Sequence, residues 1–414
     1  MTSYLQALET TPAAERWPLA RGWLETEPHA FAAELRAYRP VLVLPEVTLL
    51  ASARDCREVL LRHDLYSVRL YKPKQGHYWM AQDDTANHWR EKGVMRAVLD
   101  RESLPDMRAW VAREAARRLR EAGDGLDAVD DLTRAVPIAF VQAWFGFADS
   151  DADALKRWSY WNQMDAFWNQ PFQAPSFATP EQIVAEREAA NTEMRGYLTQ
   201  LVQARAGALK AGEGGSDMVS RLLLLSGSQA IRFDLKAVVL NVGGLLIGAV
   251  ETTSHCVVNA LAYLMADDDR LTAARAAARE SDPAHLDGMV WEALRFNPAF
   301  GYFFRTAEQD TTLARATDYA TEIPAGTTVL GLSASAMMDP AAIDQPDRFD
   351  PTRAVADTYT FGLGLHECLG KAIGAAMIPE MVRQGLLAEQ FTPGDVDRAG
   401  GPVPEHWPWQ RGQA

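Results

Sequence analysis

Phe361-Gly362-Leu363-Gly364-Leu365-His366-Glu367-Cys368-Leu369-Gly370 places one cysteine among three glycines, just ahead of an apolar helical stretch over 372–381. Glycine tolerates positive φ and lets backbone approach a bound group closely. Backbone N–H groups in such a turn can point at a sulfur and stabilise its negative charge. The run therefore reads as a loop built to hold a thiolate against a flat, metal-bearing group. Phe361 is placed to cover one side of the metal–sulfur bond.

The loop resembles the haem-binding loop of the cytochrome P-450 family, Phe-x-x-Gly-x-His/Arg-x-Cys-x-Gly. Phe361, Gly364, His366, Cys368 and Gly370 all fall in place. The resemblance implies haem b as cofactor and Cys368 as the axial ligand of its iron. It also implies cofactor contacts from Phe361, His366 and Gly370. A thiolate in that position pushes electron density toward O–O cleavage.

Working outward, further segments lie in the family's order. Gly248-Ala249-Val250-Glu251-Thr252-Thr253 interrupts an apolar stretch with an acid and two threonines. Burying such groups is costly and needs a reason. A threonine there can bond back to the i−4 carbonyl, here Gly248, or leave it free and open the helix locally. The segment looks like the family's oxygen-handling stretch, Ala/Gly-Gly-x-Asp/Glu-Thr. By that resemblance Thr252 steers protons to the oxygen being activated, Glu251 relays them from solvent, and Ala249 replaces the usual glycine against the cofactor. Glu292-Ala293-Leu294-Arg295 puts two opposite charges on one helix face. Here it looks like the family's Glu-x-x-Arg, a structural ion network whose third member is expected to be Arg348. Arg305 matches the arginine that binds a haem propionate. Asp84-Thr85-Ala86-Asn87-His88-Trp89-Arg90-Glu91-Lys92 resembles the bacterial Asp-x-Pro-x-His-x-x-x-Arg segment, with alanine for proline and Lys92 for the final arginine. His88 and Lys92 are thereby expected at the propionates, although a lysine lacks the planar fork.

Composition agrees with an ordinary globular protein: 414 residues, 48% hydrophobic and 23% charged. Three widely spaced cysteines suggest neither a disulfide framework nor a zinc site, and a cytoplasmic location is the default. The first twenty residues lack an apolar leader core. No run of about 18 uncharged apolar residues is present, so no membrane span is expected. A net charge of −14 argues against nucleic acid as partner. From Arg90 to Arg120, however, cations cluster, a candidate docking patch for an acidic partner.

Helical patterns dominate, over 107–122, 179–210 and 233–265. Strand-like runs are short, at 41–44, 311–313 and 327–330. The expectation is a mainly α chain in the cytochrome P-450 fold: a large helical bundle with a long distal helix and small β-sheets, forming one domain over 1–414. Aromatic residues crowd 158–172 (Trp158, Tyr160, Trp161, Phe167, Trp168, Phe172), with more at 300–304, and suggest an apolar small-molecule substrate. Arg69, Lys72 and Lys74 are placed to meet a substrate carboxylate, and a turn over 401–407 is placed to reach the pocket.

The family resemblance implies a soluble monooxygenase that inserts one atom of O₂ into an apolar organic molecule. With no dinucleotide fingerprint in the chain, electrons are expected from a separate ferredoxin and ferredoxin reductase. The alternatives are a peroxide-dependent peroxygenase or isomerase, and a haem sensor without turnover.

Overall fold

A computed structural model describes residues 3–147, 149–354 and 358–412. The chain forms two compact units, one of residues 1–84 with 291–368 and the other of 85–290 with 369–414.

The first unit is organised on a five-stranded sheet in the order Val41–Val43, Thr48–Leu50, Thr328–Gly331, Phe303–Ala307, Tyr66–Ser67. The central pairing is antiparallel and sets Arg305 opposite Val329. A hairpin of Thr311–Leu313 with Thr321–Ile323 lies beyond it. The three strands expected from sequence are thus present, each within about a residue of its expected position. Beneath the sheet, Leu50, Cys56, Val59, Tyr66, Leu313 and Val329 share one core.

The second unit is helical. Pro180–Lys210 is its longest helix, opened by a capping box between Thr179 and Gln182 with proline in the first turn. Leu104–Glu121 and Glu251–Met265 both pack on Lys371–Leu387, the helix that follows the cysteine loop. That helix buries Ile373, Met377, Met381 and Leu386. A three-stranded sheet of Gly125–Asp127, Pro408–Arg411 and Phe391–Pro393 completes the unit.

One long helix was expected over 233–265, but two form, Leu235–Ala249 and Glu251–Met265, separated at Val250 with φ −88° and ψ −73°. Leu235–Met265 as a whole is long and apolar enough to cross a membrane. Its polar residues are nevertheless engaged inside the unit: Asn241 donates to Glu91 Oε2 at 2.8 Å and Glu251 accepts from Arg134 at 3.0 Å. These contacts make it the unit's core helix.

Candidate functional site

In the first unit, the cysteine loop is shaped by its glycines. Gly362 and Gly364 adopt φ of +66° and +71°. At Gly364 a Cβ would also stand 2.9 Å from the Leu60 carbonyl, so both conformation and space exclude a side chain. Gly370, by contrast, has φ −80° and caps the following helix. The loop closes on itself: the Cys368 amide donates to the Phe361 carbonyl at 2.8 Å, and the Glu367 amide to Gly364 at 3.1 Å. Cys368 itself is exposed, whereas Cys56 and Cys256 are buried. Phe361 rests against Trp291, ring centroids 5.5 Å apart. His366 lies with Nε2 3.4 Å from Asp83 Oδ1.

Arg305 is 7% exposed. The one hydrogen bond of its guanidinium among the described residues runs to the neighbouring Phe304 carbonyl at 2.7 Å. Burial lowers its pKa, and the nearest compensation comes from Tyr71 and Asp83 acting at a distance. A buried guanidinium without a bonded carboxylate is expensive. It fits an anion supplied by a ligand, as a haem propionate would be.

Glu292 and Arg295 form the expected structural network, all within the first unit. Arg295 makes a bidentate pair with Glu292 at 2.7 and 2.8 Å and donates to the Met337 and Pro346 carbonyls. The third side chain is not Arg348, which is exposed and offers only its carbonyl, at 3.3 Å. It is Arg353, whose Nε donates to Glu292 at 3.3 Å, beside the Asp350 amide at 2.9 Å. The reason is geometric: Glu292 faces the turn after Asp350, which the chain reaches five residues later than the motif suggests.

In the second unit, Thr85 caps the Ala86–Val98 helix by accepting from the His88 amide at 3.0 Å. His88 and Lys92 lie one turn apart and both are buried. Further along, Thr252 donates to the Gly248 carbonyl at 2.6 Å, the back-bond that its sequence position allows. Gly248 is exposed and Ala249 half-buried in the middle of an otherwise buried pair of helices. Glu251 is 3% exposed and belongs to an ion cluster that sequence reasoning missed. Arg134 contacts Glu251 at 3.0 Å, Glu405 at 2.9 Å and Asp130 at 3.1 Å, while Lys156 holds Asp130 at 2.7 Å. Three carboxylates thus share two cations. Arg134 lies more than a hundred residues from Glu251, so no local pattern could have announced it.

Burial raises the Glu251 pKa, with Arg134 opposing and Glu405 adding to the rise. The folded chain therefore holds this proton more tightly than the unfolded chain, and stability falls as pH rises through the raised folded value. Glu251→Gln has no proton to lose, so whatever its stability at low pH, its melting temperature relative to the parent is expected to shift upward, by about 2 °C, as pH rises from the ordinary glutamate range through the raised folded value. Calorimetry of both proteins across that range checks it. A difference that stays flat with pH would mean that the Glu251 pKa is the same in the folded and unfolded chain.

The aromatic segment divides. Trp158 is buried and donates to Glu193 at 3.0 Å, a packing role. Tyr160, Trp161, Trp168 and Phe177 surround Met164, Ile183 and Val403. Val403 brings the C-terminal turn to them. Arg69 pairs with Glu308 at 3.5 Å. Arg108 of the basic segment is likewise engaged, in a bidentate pair with Asp287 at 2.7 Å and with Glu380 at 3.0 Å.

A family model, Cytochrome P450, matches residues 46–386. The chain belongs to the cytochrome P450 family. It is an oxidoreductase of that family, whose cofactor is haem b. Among curated relatives, vitamin D(3) 25-hydroxylase of Pseudonocardia autotrophica is 28% identical over 87% of this chain and 86% of its own. Erythromycin C-12 hydroxylase of Saccharopolyspora erythraea is 29% identical over 76% and 73%. Among solved structures, ligand-free cytochrome P450 TbtJ1 superposes with a TM-score of 0.77 at 22% identity, covering 94% of this P450 and 98% of that chain. CYP109E1 from Bacillus megaterium, solved with testosterone, gives 0.75 at 19% identity, covering 93% and 98%. These two likenesses concern the fold.

Proposed function

We propose that this P450 is a monooxygenase, working as a single domain, with Cys368 as the proximal ligand of its haem. By their places in the family's motifs, Arg305, His366, His88 and Lys92 would hold the propionates, and Ala249, Phe361 and Gly370 would line the cofactor. When bound, the haem supplies the activation of O₂, sending one oxygen atom into the substrate and the other to water at the cost of two electrons and two protons. Glu251 holds and passes protons, and Thr252 orients their delivery. Electrons come from a ferredoxin and its reductase as separate chains in the cytoplasm. The substrate is apolar, held against Tyr160, Trp161 and Trp168. That two relatives are named as hydroxylases of vitamin D(3) and erythromycin supports a bulky alicyclic molecule.

The observation that carries the O₂-using reading is the intact Glu251–Thr252 pair at an interrupted helix. A peroxide-driven enzyme needs no such proton route. The test compares turnover of a panel of apolar substrates using NADH, ferredoxin and reductase with turnover using hydrogen peroxide alone. The expected result is hydroxylated product labelled from ¹⁸O₂ with the redox chain, and about a hundredfold less with peroxide. Equal rates by both routes would favour the peroxygenase, and tight ligand binding with no product by either would favour the sensor.

A further inference from the structure

At the interruption of the long helix, a carbonyl is bonded by a residue far away in sequence. The backbone ladder of Leu235–Ala249 stops before Val250 and resumes where the Ser254 amide donates to the Val250 carbonyl at 2.9 Å. Two of the carbonyls just before the break are taken by side chains. Gly248 is bonded by Thr252 Oγ1 at 2.6 Å, from within the same stretch. Ile247 is bonded by Gln163 Nε2, also at 2.6 Å, from the Ala152–Trp168 helix that packs alongside. Gln163 is 3% exposed, and its amide is committed to this carbonyl.

In a regular helix the Ile247 carbonyl would accept from the Glu251 amide. A carbonyl deprived of any donor in a buried place is costly, so it takes one where it can. While Gln163 occupies it, the Glu251 amide is not required there, and the break is stable. Without Gln163, the Glu251 amide is the nearest replacement, and taking it draws Glu251 and Thr252 back into regular helix. That movement would shift the Glu251 carboxylate from Arg134 and turn Thr252 relative to Gly248.

We propose that Gln163 is a positioning residue that keeps the helix open at Val250 and thereby sets the Glu251–Thr252 pair. The inference rests on the reading of that pair as the proton route, but its structural half is measurable independently of turnover.

The test uses the holoenzyme, three variants at Gln163 and Thr252→Ala as the control. Gln163→Leu and Gln163→Met remove the donor at near-constant volume, so that one folding failure does not end the experiment. Gln163→Glu restores it, because a carboxyl buried here stays protonated and donates. Hydrogen exchange is read at the amides of residues 251–253. In both apolar variants exchange at Glu251 should slow about fivefold to tenfold as the ladder bond forms, while Gln163→Glu exchanges like the parent. Alongside, peroxide released per electron pair should rise about threefold or more in the apolar variants and return toward the parent in Gln163→Glu. Unchanged exchange in well-folded Leu and Met variants would overturn the proposal. Slowed exchange with a parental peroxide leak would also overturn it, provided that Thr252→Ala leaks. Should Thr252→Ala not leak either, the proton-route reading fails, while slowed exchange still upholds the role of Gln163 in holding the helix open.

Discussion

Cys368→Ser is expected to abolish the red-shifted Soret band of the dithionite-reduced, carbon monoxide-bound protein and to lower turnover by more than about a hundredfold. Serine keeps the size and shape of the side chain. Its hydroxyl, however, ionises far less readily than a thiol, so the charged sulfur donor that defines the site is lost. The loop closes through its backbone: the Cys368 amide bonds to the Phe361 carbonyl, and Gly362 and Gly364 hold positive φ, features that serine can keep. Because Cys368 is exposed, the haem-free variant should melt within about 0.5 kcal/mol of the haem-free parent. The pairing of these outcomes is the informative part: a spectrum lost with stability kept assigns Cys368 to the iron. A persistent red-shifted band in Cys368→Ser would mean that another residue is the ligand.

The second large effect concerns Glu292. Replacing it by Gln should cost about 3–5 kcal/mol, a large share of the total stability of a domain. Its carboxylate accepts from Arg295 twice, from the Asp350 amide and from Arg353. An amide keeps one acceptor and turns two N–H donors toward a guanidinium, leaving Arg295 buried and unneutralised. Arg295 is fully buried, so solvent cannot compensate. Urea unfolding of Glu292→Gln, or failure to recover folded holoprotein, checks this. Arg348→Ala is the matched control: Arg348 is exposed and touches the network only through its carbonyl, so a change within about 0.5 kcal/mol is expected. Arg353→Ala should fall between the two, since its contact is longer and partly open to solvent. If Arg348→Ala proved as damaging as Glu292→Gln, the assignment of the third partner would be reversed.

Legibility followed range. The cysteine loop was readable because its chemistry is local: glycines at fixed offsets from one thiol impose the turn regardless of what surrounds it. The same holds for the back-bond of Thr252 to Gly248 and the Glu292–Arg295 pair, both of which act within about one helical turn. Arg305 was marked by its motif, and the structure added that no described carboxylate bonds it, which is why an anionic ligand fits. The separation of the long helix at Val250 was only half visible. The threonine announced that the ladder could open, but not that Gln163 would capture the second carbonyl.

What the sequence by itself determined, then, is the family, the mainly helical class, the turn of the cysteine loop and the residues that act on near neighbours in the chain. The tertiary structure alone decided that Arg353 rather than Arg348 completes the Glu292 network. It also decided that Arg134 gathers Glu251, Glu405 and Asp130, that Arg69 and Arg108 are engaged by acids of the protein, and that Gln163 reaches Ile247. The physical reason is common to all of them. A charge or a carbonyl that loses water must find a partner in space, and the partner is chosen by packing between elements distant in sequence, which no local spacing encodes.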